Sequence, residues 1–403
     1  GEGMRLLALA MKPAAPGQRE LGFTDVEAGG FVLLAVAGLS DPPREEARRA
    51  VASCLAAGIR VAMITGDHAL TARAIGNQLG LRPDGGVRVL TGSEIENLDD
   101  ATLRRIVQET EVFARASPEH KLRLVKALQA NGEVVAMTGD GVNDAPALKQ
   151  ADVGVAMGRK GTEAAKEAAE IVLADDNFAS IAAAVEEGRT IYDNIRKAIV
   201  FILPTNGAQA GVLVAAVLLG LDVLPITPVQ ILWVNMVTAV TLALALAFEP
   251  AEADIMRRPP RDPREAVLSP FMLWRVVFVS VLLVGGSLGL FLWELARGTP
   301  VEVARTATVN LLMVGEAFYL LNCRRLVRPV SPREGLTGNR WVPVTIAVLA
   351  LLQLAFTYAP PMQQLFHTAA LDGAAWGRIL VFGLAVLLFV ELEKAVVRRI
   401  ARP

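Results

Sequence analysis

Hydrophobic residues follow two different rhythms in this chain, and the change falls near residue 197. Before it, charged and apolar positions intermingle as in a globular protein. After it, long apolar runs alternate with short polar ones. Six of these runs, near 198–219, 229–248, 271–294, 303–322, 341–358 and 376–396, can each cross about 30 Å of hydrocarbon at a rise of roughly 1.5 Å per residue. Short loops pair them, which predicts antiparallel helical hairpins. The first half carries another signature. Val61–Ile64 and Val134–Met137 are continuous apolar runs, each leading into Thr-Gly-Asp. Such runs suit strands buried on both faces of a parallel sheet. Helical stretches over Arg44–Ala57, Ala69–Leu79 and Pro118–Ala130 lie between and around them. The alternation predicts a doubly wound α/β domain whose ligands bind outside the C-terminal strand ends, where both Thr-Gly-Asp turns belong.

Composition supports a soluble half followed by a membrane half: 53% of the 403 residues are hydrophobic, more than a soluble protein of this length carries. Arginine placement predicts the orientation. Arg257, Arg258, Arg261 and Arg264 follow the second span, Arg324, Arg325, Arg328, Arg333 and Arg340 the fourth, and Lys394, Arg398, Arg399 and Arg402 the sixth. The loops at 220–228 and 359–375 have no Lys or Arg. The soluble half and the C-terminus are therefore expected on the cytoplasmic side of a prokaryotic plasma membrane, in contact with lipid. A net charge of -1 points away from nucleic acid as a partner. Cys54 and Cys323 lack metal-ligand spacing and read as thiols outside any disulfide, in a reducing compartment. The opening residues lack a charged stretch followed by an apolar run, so they do not read as a signal peptide; Leu6–Met11 reads as a strand.

Phosphoryl transfer is the chemistry the turns suggest. Asp140 and Asp144 place two carboxylates on one turn, and Asn143 adds an amide oxygen, a hard-oxygen set suited to Mg²⁺ beside a phosphate. Gly139 and Gly141 allow a sharp turn. Thr65 offers a hydroxyl and an N–H to a phosphoryl oxygen, and Lys121 a positive charge. Taken alone, a Thr-Gly-Asp turn is commonplace and Lys121 is an ordinary solvated helix residue. His68 and His120 read as surface turn residues and not as metal ligands. In the membrane half, Asn206 with Gln209 and Asn235 with Thr238 are three residues apart, which predicts one helical face for each pair. Glu316 lies inside the fourth span. Two readings stay open for these polar groups: lining an ion path, or hydrogen bonding between helices.

The segment MTGDGVNDAPALKQADVGVAMG at 137–158 resembles the hinge motif of P-type ATPases nearly letter for letter. DPPR at 41–44, MITGDHALTARAIGNQLG at 63–80 and FARASPEHK at 113–121 are similar to that family's phosphorylation domain. LADDNFASIAAAVEEGRTIYDNI at 173–195 resembles its stalk, and ILWVNMVTAVTLALALAFEP at 231–250 its sixth membrane helix in the calcium-pump-like branch. The resemblance spans the whole chain. It implies an incomplete haloacid-dehalogenase-like (Rossmann-like) α/β phosphorylation domain at 31–180, after a remnant of the nucleotide-binding domain at 1–30. An all-α, six-helix transmembrane domain with its stalk follows at 181–403. It further implies ATP-driven cation transport through an aspartyl-phosphate cycle that uses ATP and Mg²⁺. On this resemblance Thr65, Gly66 and Asp67 hold the phosphoryl group, Lys121 contacts it, and Asp140 binds Mg²⁺ with support from Asn143 and Asp144. Arg5 and Arg115 contact ATP. Asn206, Gln209, Asn235 and Thr238 line the path of the transported cation.

The family's DKTGT phosphorylation motif and TGE loop do not occur in the 403 residues. The missing motif ends the central strand of that fold, so apolar surface is expected to open between its neighbours. The chain is accordingly expected to be inactive by itself and to need the N-terminal portion of the pump as a partner. Ala239 stands where calcium pumps have an aspartate and Gln209 where they have a glutamate, and Glu316 reads as out of register with their glutamate of helix eight. A membrane phosphatase of the dehalogenase type would need a DxDx nucleophile, which is absent. A non-catalytic regulatory or scaffold fragment of a pump remains the alternative.

Overall fold

The first Thr-Gly-Asp run forms a strand as its apolar pattern predicts, but the sheet around it is not continuous. In the computed structural model, residues 5–14, 16, 17, 20, 22–39, 42–329 and 337–400 are described. The side chain of Arg5, Asp41 of the DPPR run and Arg333 lie outside the described residues. The chain divides into two units, Gly1–Glu186 with Asp254–Pro260, and Glu187–Ala253 with Arg261–Pro403.

The first unit opens with β1 (Arg5–Met11), antiparallel to β2 (Val32–Leu39). Residue 30, the expected end of the nucleotide-domain remnant, lies in the connection between these paired strands. After α1 (Glu45–Ala56) come β3 (Met63–Thr65), α2 (Ala69–Leu79), β4 (Val89–Thr91), β5 (Val112–Ala114) and α3 (Pro118–Ala130). Next come β6 (Ala136–Gly139), α4 (Ala145–Gln150), β7 (Val153–Met157) and β8 (Ile171–Leu173). The expected parallel-stranded α/β content forms as two three-stranded sheets, ordered β3-β5-β4 and β6-β7-β8, and not as one continuous sheet. The physical cause of the division is visible in the pairing. β3 and β6, the strands that end in the two Thr-Gly-Asp turns, are both edge strands and do not pair with each other. Side chains still connect the layers: Ile64 of β3 packs against the cluster of Val125, Val135, Met137 and Leu148. Central β5 is buried throughout, whereas β3 is only half-buried and Val134, just before β6, is exposed.

Local chemistry fixes the helix starts. Ser117 caps α3 by accepting from the His120 N–H, and Pro118 fills the first helical position, where an N–H has no partner anyway. His120 is a correction: it is buried, and its Nδ1 accepts from the Ser117 N–H, closing the cap from the inside. His68 remains exposed and caps α2. The two cysteines are buried thiols.

The second unit is helical. A single helix, α5 (Phe178–Leu218), begins in the first unit and holds the first expected span. The others are α6 (Pro228–Thr238) with its continuation to Ala247, α7 (Pro270–Ala296), α8 (Val301–Cys323), α9 (Trp341–Tyr358) and α10 (Gly373–Ile400). Among the described residues four helices are long and apolar enough to cross a membrane: α5, α6 with its continuation, α7 and α9. α8 and α10 form where spans are expected but fall outside that set. The reason for α8 is its setting. Most of its residues are buried among other helices, so it can carry Thr306, Thr308, Asn310 and Glu316 without presenting them to lipid. Charged side chains concentrate at its C-terminal end. Arg275 of α7 binds Glu393 of α10 at 2.5 Å, and Lys394 donates to Glu391 and to the Asn322 carbonyl. Arg324 and Asn339 both bond to Glu249.

Gly92 tests the packing of the first unit. A Cβ there would lie 2.3 Å from the carbonyl oxygen of Arg115, a backbone atom that cannot rotate away. Gly92→Ala should therefore destabilise the unit by about 1–3 kcal/mol, read as a lower unfolding midpoint of the purified chain. An unchanged midpoint would show that the turn yields.

Candidate functional site

Four segments meet at the C-terminal ends of the parallel strands. β3 delivers Thr65, β5 is followed by Arg115, α3 begins near Lys121, and β6 runs into the Asp140–Asp144 turn. Backbone bonds lock the first two turns together: the Arg115 N–H donates to the Asp67 carbonyl at 3.2 Å and the Ala116 N–H to the Thr65 carbonyl at 3.2 Å. Arg115 pays for this with a left-handed backbone, φ 54°, and its side chain is exposed. Within the Thr-Gly-Asp turn the Thr65 hydroxyl donates to the Asp67 carboxylate at 3.0 Å and accepts the Asp67 N–H at 3.1 Å. A Cβ on Gly66 would meet nothing within 4 Å, so the chain itself leaves open space there.

The second turn is organised by Asp144. One carboxylate oxygen accepts from Lys121 Nζ at 2.5 Å; the other accepts the N–H groups of Asp140 and Gly141, each at 3.1 Å. Gly139 makes this possible, because a Cβ there would lie 2.5 Å from the Asp144 Cβ. Burial pushes the Asp144 carboxyl upward, but the hydrogen bond and charge of Lys121 and the two N–H groups outweigh it, and the carboxyl rests below its ordinary value. These bonds distinguish the members of the expected Mg²⁺ set. Asp144 has both oxygens engaged and is buried. Asp140 and Asn143 are exposed, and their side chains have no partner among the described residues. No group of three or more His, Cys, Asp or Glu side chains forms a metal cluster among the described residues. One free carboxylate and one amide still fit Mg²⁺, which commonly takes one or two protein ligands and completes its shell with water and phosphate oxygens.

The membrane candidates differ in their surroundings. Asn206 is exposed whereas Gln209, three residues on, is buried, so the expected common face is not a common environment. The Thr238 hydroxyl donates to the Val234 carbonyl of its own helix at 2.7 Å, and Asn235 is half-buried. Past Thr238 the helix widens into a π-turn over Ala239–Ala243. Thr238 and Thr241 each bond to a carbonyl four residues back, a competition that disturbs the regular ladder. Glu316, which reads as out of register in the sequence, has its carboxyl beside Gln209, without a closed hydrogen bond. Both carboxylate oxygens and both amide atoms are buried and unpartnered. A second network shows what a closed zipper looks like. Trp233 donates to Gln353, Gln353 to Asn310, and Asn310 to Thr357, at 2.9, 3.1 and 3.0 Å. Sequence reasoning missed this network, because its members lie on three helices far apart in the chain.

Residues 223–396 match the family described as cation transporting ATPase, C-terminus, and residues 4–152 match the haloacid dehalogenase-like hydrolases, with a second model of that description at 121–185. The chain is 50% identical over 405 residues to a protein of Mycobacterium tuberculosis named Probable cation-transporting ATPase F, covering 100% of this chain and 44% of that one. It is 42% identical over 380 residues to the cation-transporting ATPase pma1 of Synechocystis, covering 93% and 42%. Against the calcium-transporting ATPase of Bacillus subtilis it is 41% identical over 387 residues, covering 96% and 43%. The chain thus spans less than half the length of these relatives.

The Asp144 bonds predict a pH signature. A carboxyl lowered on folding contributes stability that is complete above its unfolded value, near 3.9, and is lost as pH falls through the folded one. Asp144→Asn should cost about 1.5–3 kcal/mol at neutral pH, with the deficit closing progressively in acid. A deficit that stays constant from neutral pH to strong acid would contradict this account.

Proposed function

The chain belongs to the cation-transporting P-type ATPases as a C-terminal portion of one, and we propose from that premise that it supplies the phosphoryl-handling turns and part of the cation path of a membrane pump. The pump moves a cation with ATP through an aspartyl-phosphate cycle. Residues 1–30 close the nucleotide-binding domain, 31–180 form the phosphorylation domain, and 181–403 form the stalk and membrane helices. The first unit and the C-terminus face the cytoplasm, following the arginine-rich loops.

One observation carries this reading: among the described residues, the two strands that end in Thr-Gly-Asp both present an unpaired edge. A parallel strand bearing the nucleophilic aspartate, from outside these residues, pairs between them and ends beside Thr65, Asp67, Lys121 and Asp140. Thr65 and Gly66 then offer a hydroxyl and open backbone space to a phosphoryl oxygen. Lys121, aligned by Asp144, places an ammonium beside the β6 turn. Asp140 and Asn143 would hold Mg²⁺, which when bound offsets charge on the transferring group. Arg115 and Arg5 are assigned to the nucleotide on the family resemblance. The cation sits by Gln209 and Glu316; Thr238 and Asn235 contribute oxygens, and Asn206 joins once a further helix covers it. With a single carboxylate, the site suits a monovalent or a single divalent ion better than a pair of divalent ones.

Phosphorylation by labelled ATP tests the reading. The 403-residue chain alone should form no acid-stable phosphoenzyme, and label on any of its own aspartates would refute the placement of the nucleophile. In the whole pump, Asp140→Asn should lower Mg²⁺-dependent labelling at least ~100-fold, as expected for losing a ligand that positions transition-state charge. Parent-level labelling by that variant would remove Asp140 from the metal site. Labelling that ignores every cation supplied would favour a regulatory fragment.

A further inference from the structure

Proline 204 interrupts the hydrogen-bond ladder of α5, because it has no N–H to give to the carbonyl of Val200, four residues back. In a helix buried among others, such a carbonyl is costly unless another donor reaches it. The donor here is the hydroxyl of Tyr319, on α8, at 2.9 Å from the Val200 oxygen. Tyr319 is fully buried, and its ring stacks on Phe201 with centroids 6.1 Å apart. Ser280 of α7 makes a longer bond, 3.3 Å, to the carbonyl of Pro204 itself.

The location of this bond gives it meaning. Glu316 is one turn before Tyr319 on α8, and Gln209 is beyond Pro204 on α5. α8 therefore touches α5 on both sides of the break: Tyr319 on Val200 before it, Glu316 beside Gln209 after it. Gln209 and Glu316 approach each other without well-aligned hydrogen-bond geometry, and their side-chain polar atoms find no other partner. Their juxtaposition must come from elsewhere. Among the described residues, the Tyr319–Val200 bond is the polar contact that ties these two helices together.

We propose that Tyr319 is a positioning residue for the transported cation: by capping the carbonyl that Pro204 leaves open, it sets the register of α8 on α5 and holds Glu316 against Gln209. This rests on the reading of Gln209 and Glu316 as cation ligands. The pairing of proline and tyrosine makes the effect conditional. Without the proline, residue 204 has an N–H, the Val200 carbonyl recovers a helical donor, and the tyrosine hydroxyl has no special task.

A double-mutant cycle in the whole pump, reconstituted in liposomes, tests this through the cation concentration for half-maximal ATPase activity. Tyr319→Phe should raise that concentration on the order of ten-fold, the factor equivalent to about 1.4 kcal/mol, with the maximal rate and labelling by inorganic phosphate little changed. The P204A/Y319F protein should match P204A alone. An equal shift from Y319F in both backgrounds would overturn the proposal, as would no shift in either. Should Y319F express poorly, a further ten-fold loss in P204A/Y319F over P204A still overturns it. Gln209→Ala and Glu316→Gln separate the two levels. If neither alters the cation dependence, the ligand assignment itself fails; if both do and Tyr319→Phe does not, only the clamp fails.

Discussion

A backbone polar group removed from water must find a partner, and the two halves of this chain answer that demand differently. In the helical unit carbonyls at irregular points are taken up by side chains distant in sequence: the Val200 carbonyl by Tyr319 and the Leu326 carbonyl by Arg275. In the α/β unit two strand edges stay open, and they belong to the strands whose turns carry the candidate phosphoryl-binding groups. An unpaired edge is a template for another strand, and these two edges adjoin the turns of the candidate site.

Polar groups in the helical unit sort by whether their bonds close. Trp233, Gln353, Asn310 and Thr357 satisfy one another, and such a chain fixes helix register while having little left to offer an ion. Gln209 and Glu316 are as deeply buried and leave all their polar atoms without partners. Each such atom carries a desolvation cost of about 1–3 kcal/mol, which a bound cation or proton would offset. That difference in satisfaction, and not burial or residue type, separates the structural network from the candidate site.

Asp144 illustrates how a motif distributes its work. Its neighbours Asp140 and Asn143 are exposed and unengaged, whereas Asp144 binds Lys121 and two backbone N–H groups and is buried. Three oxygen-bearing residues within five positions thus divide into two available to a metal and one that shapes the turn and aims a lysine.

Much was legible in the sequence because it depends on local patterns. Apolar runs longer than a bilayer, short runs ending in Thr-Gly-Asp, and Ser-Pro before a helix each fix an element through its own residues, and β3, β6, α3 and four membrane-capable helices form where those patterns put them. The candidate residues of the two turns were read the same way. What needed the tertiary structure depends on partners distant in the chain. Edge status of β3 and β6 is a property of what does not pair with them. The burial of His120, the engagement of Asp144 and the placing of Glu316 beside Gln209 all depend on which elements converge. Helical periodicity put Asn206 with Gln209, but a three-residue spacing only brings two side chains to neighbouring angles on a helix, and the packing of α8 covered one and left the other exposed. Pro204 announced in the sequence that a carbonyl would be left open; only the fold could say that Tyr319, more than a hundred residues later, would close it.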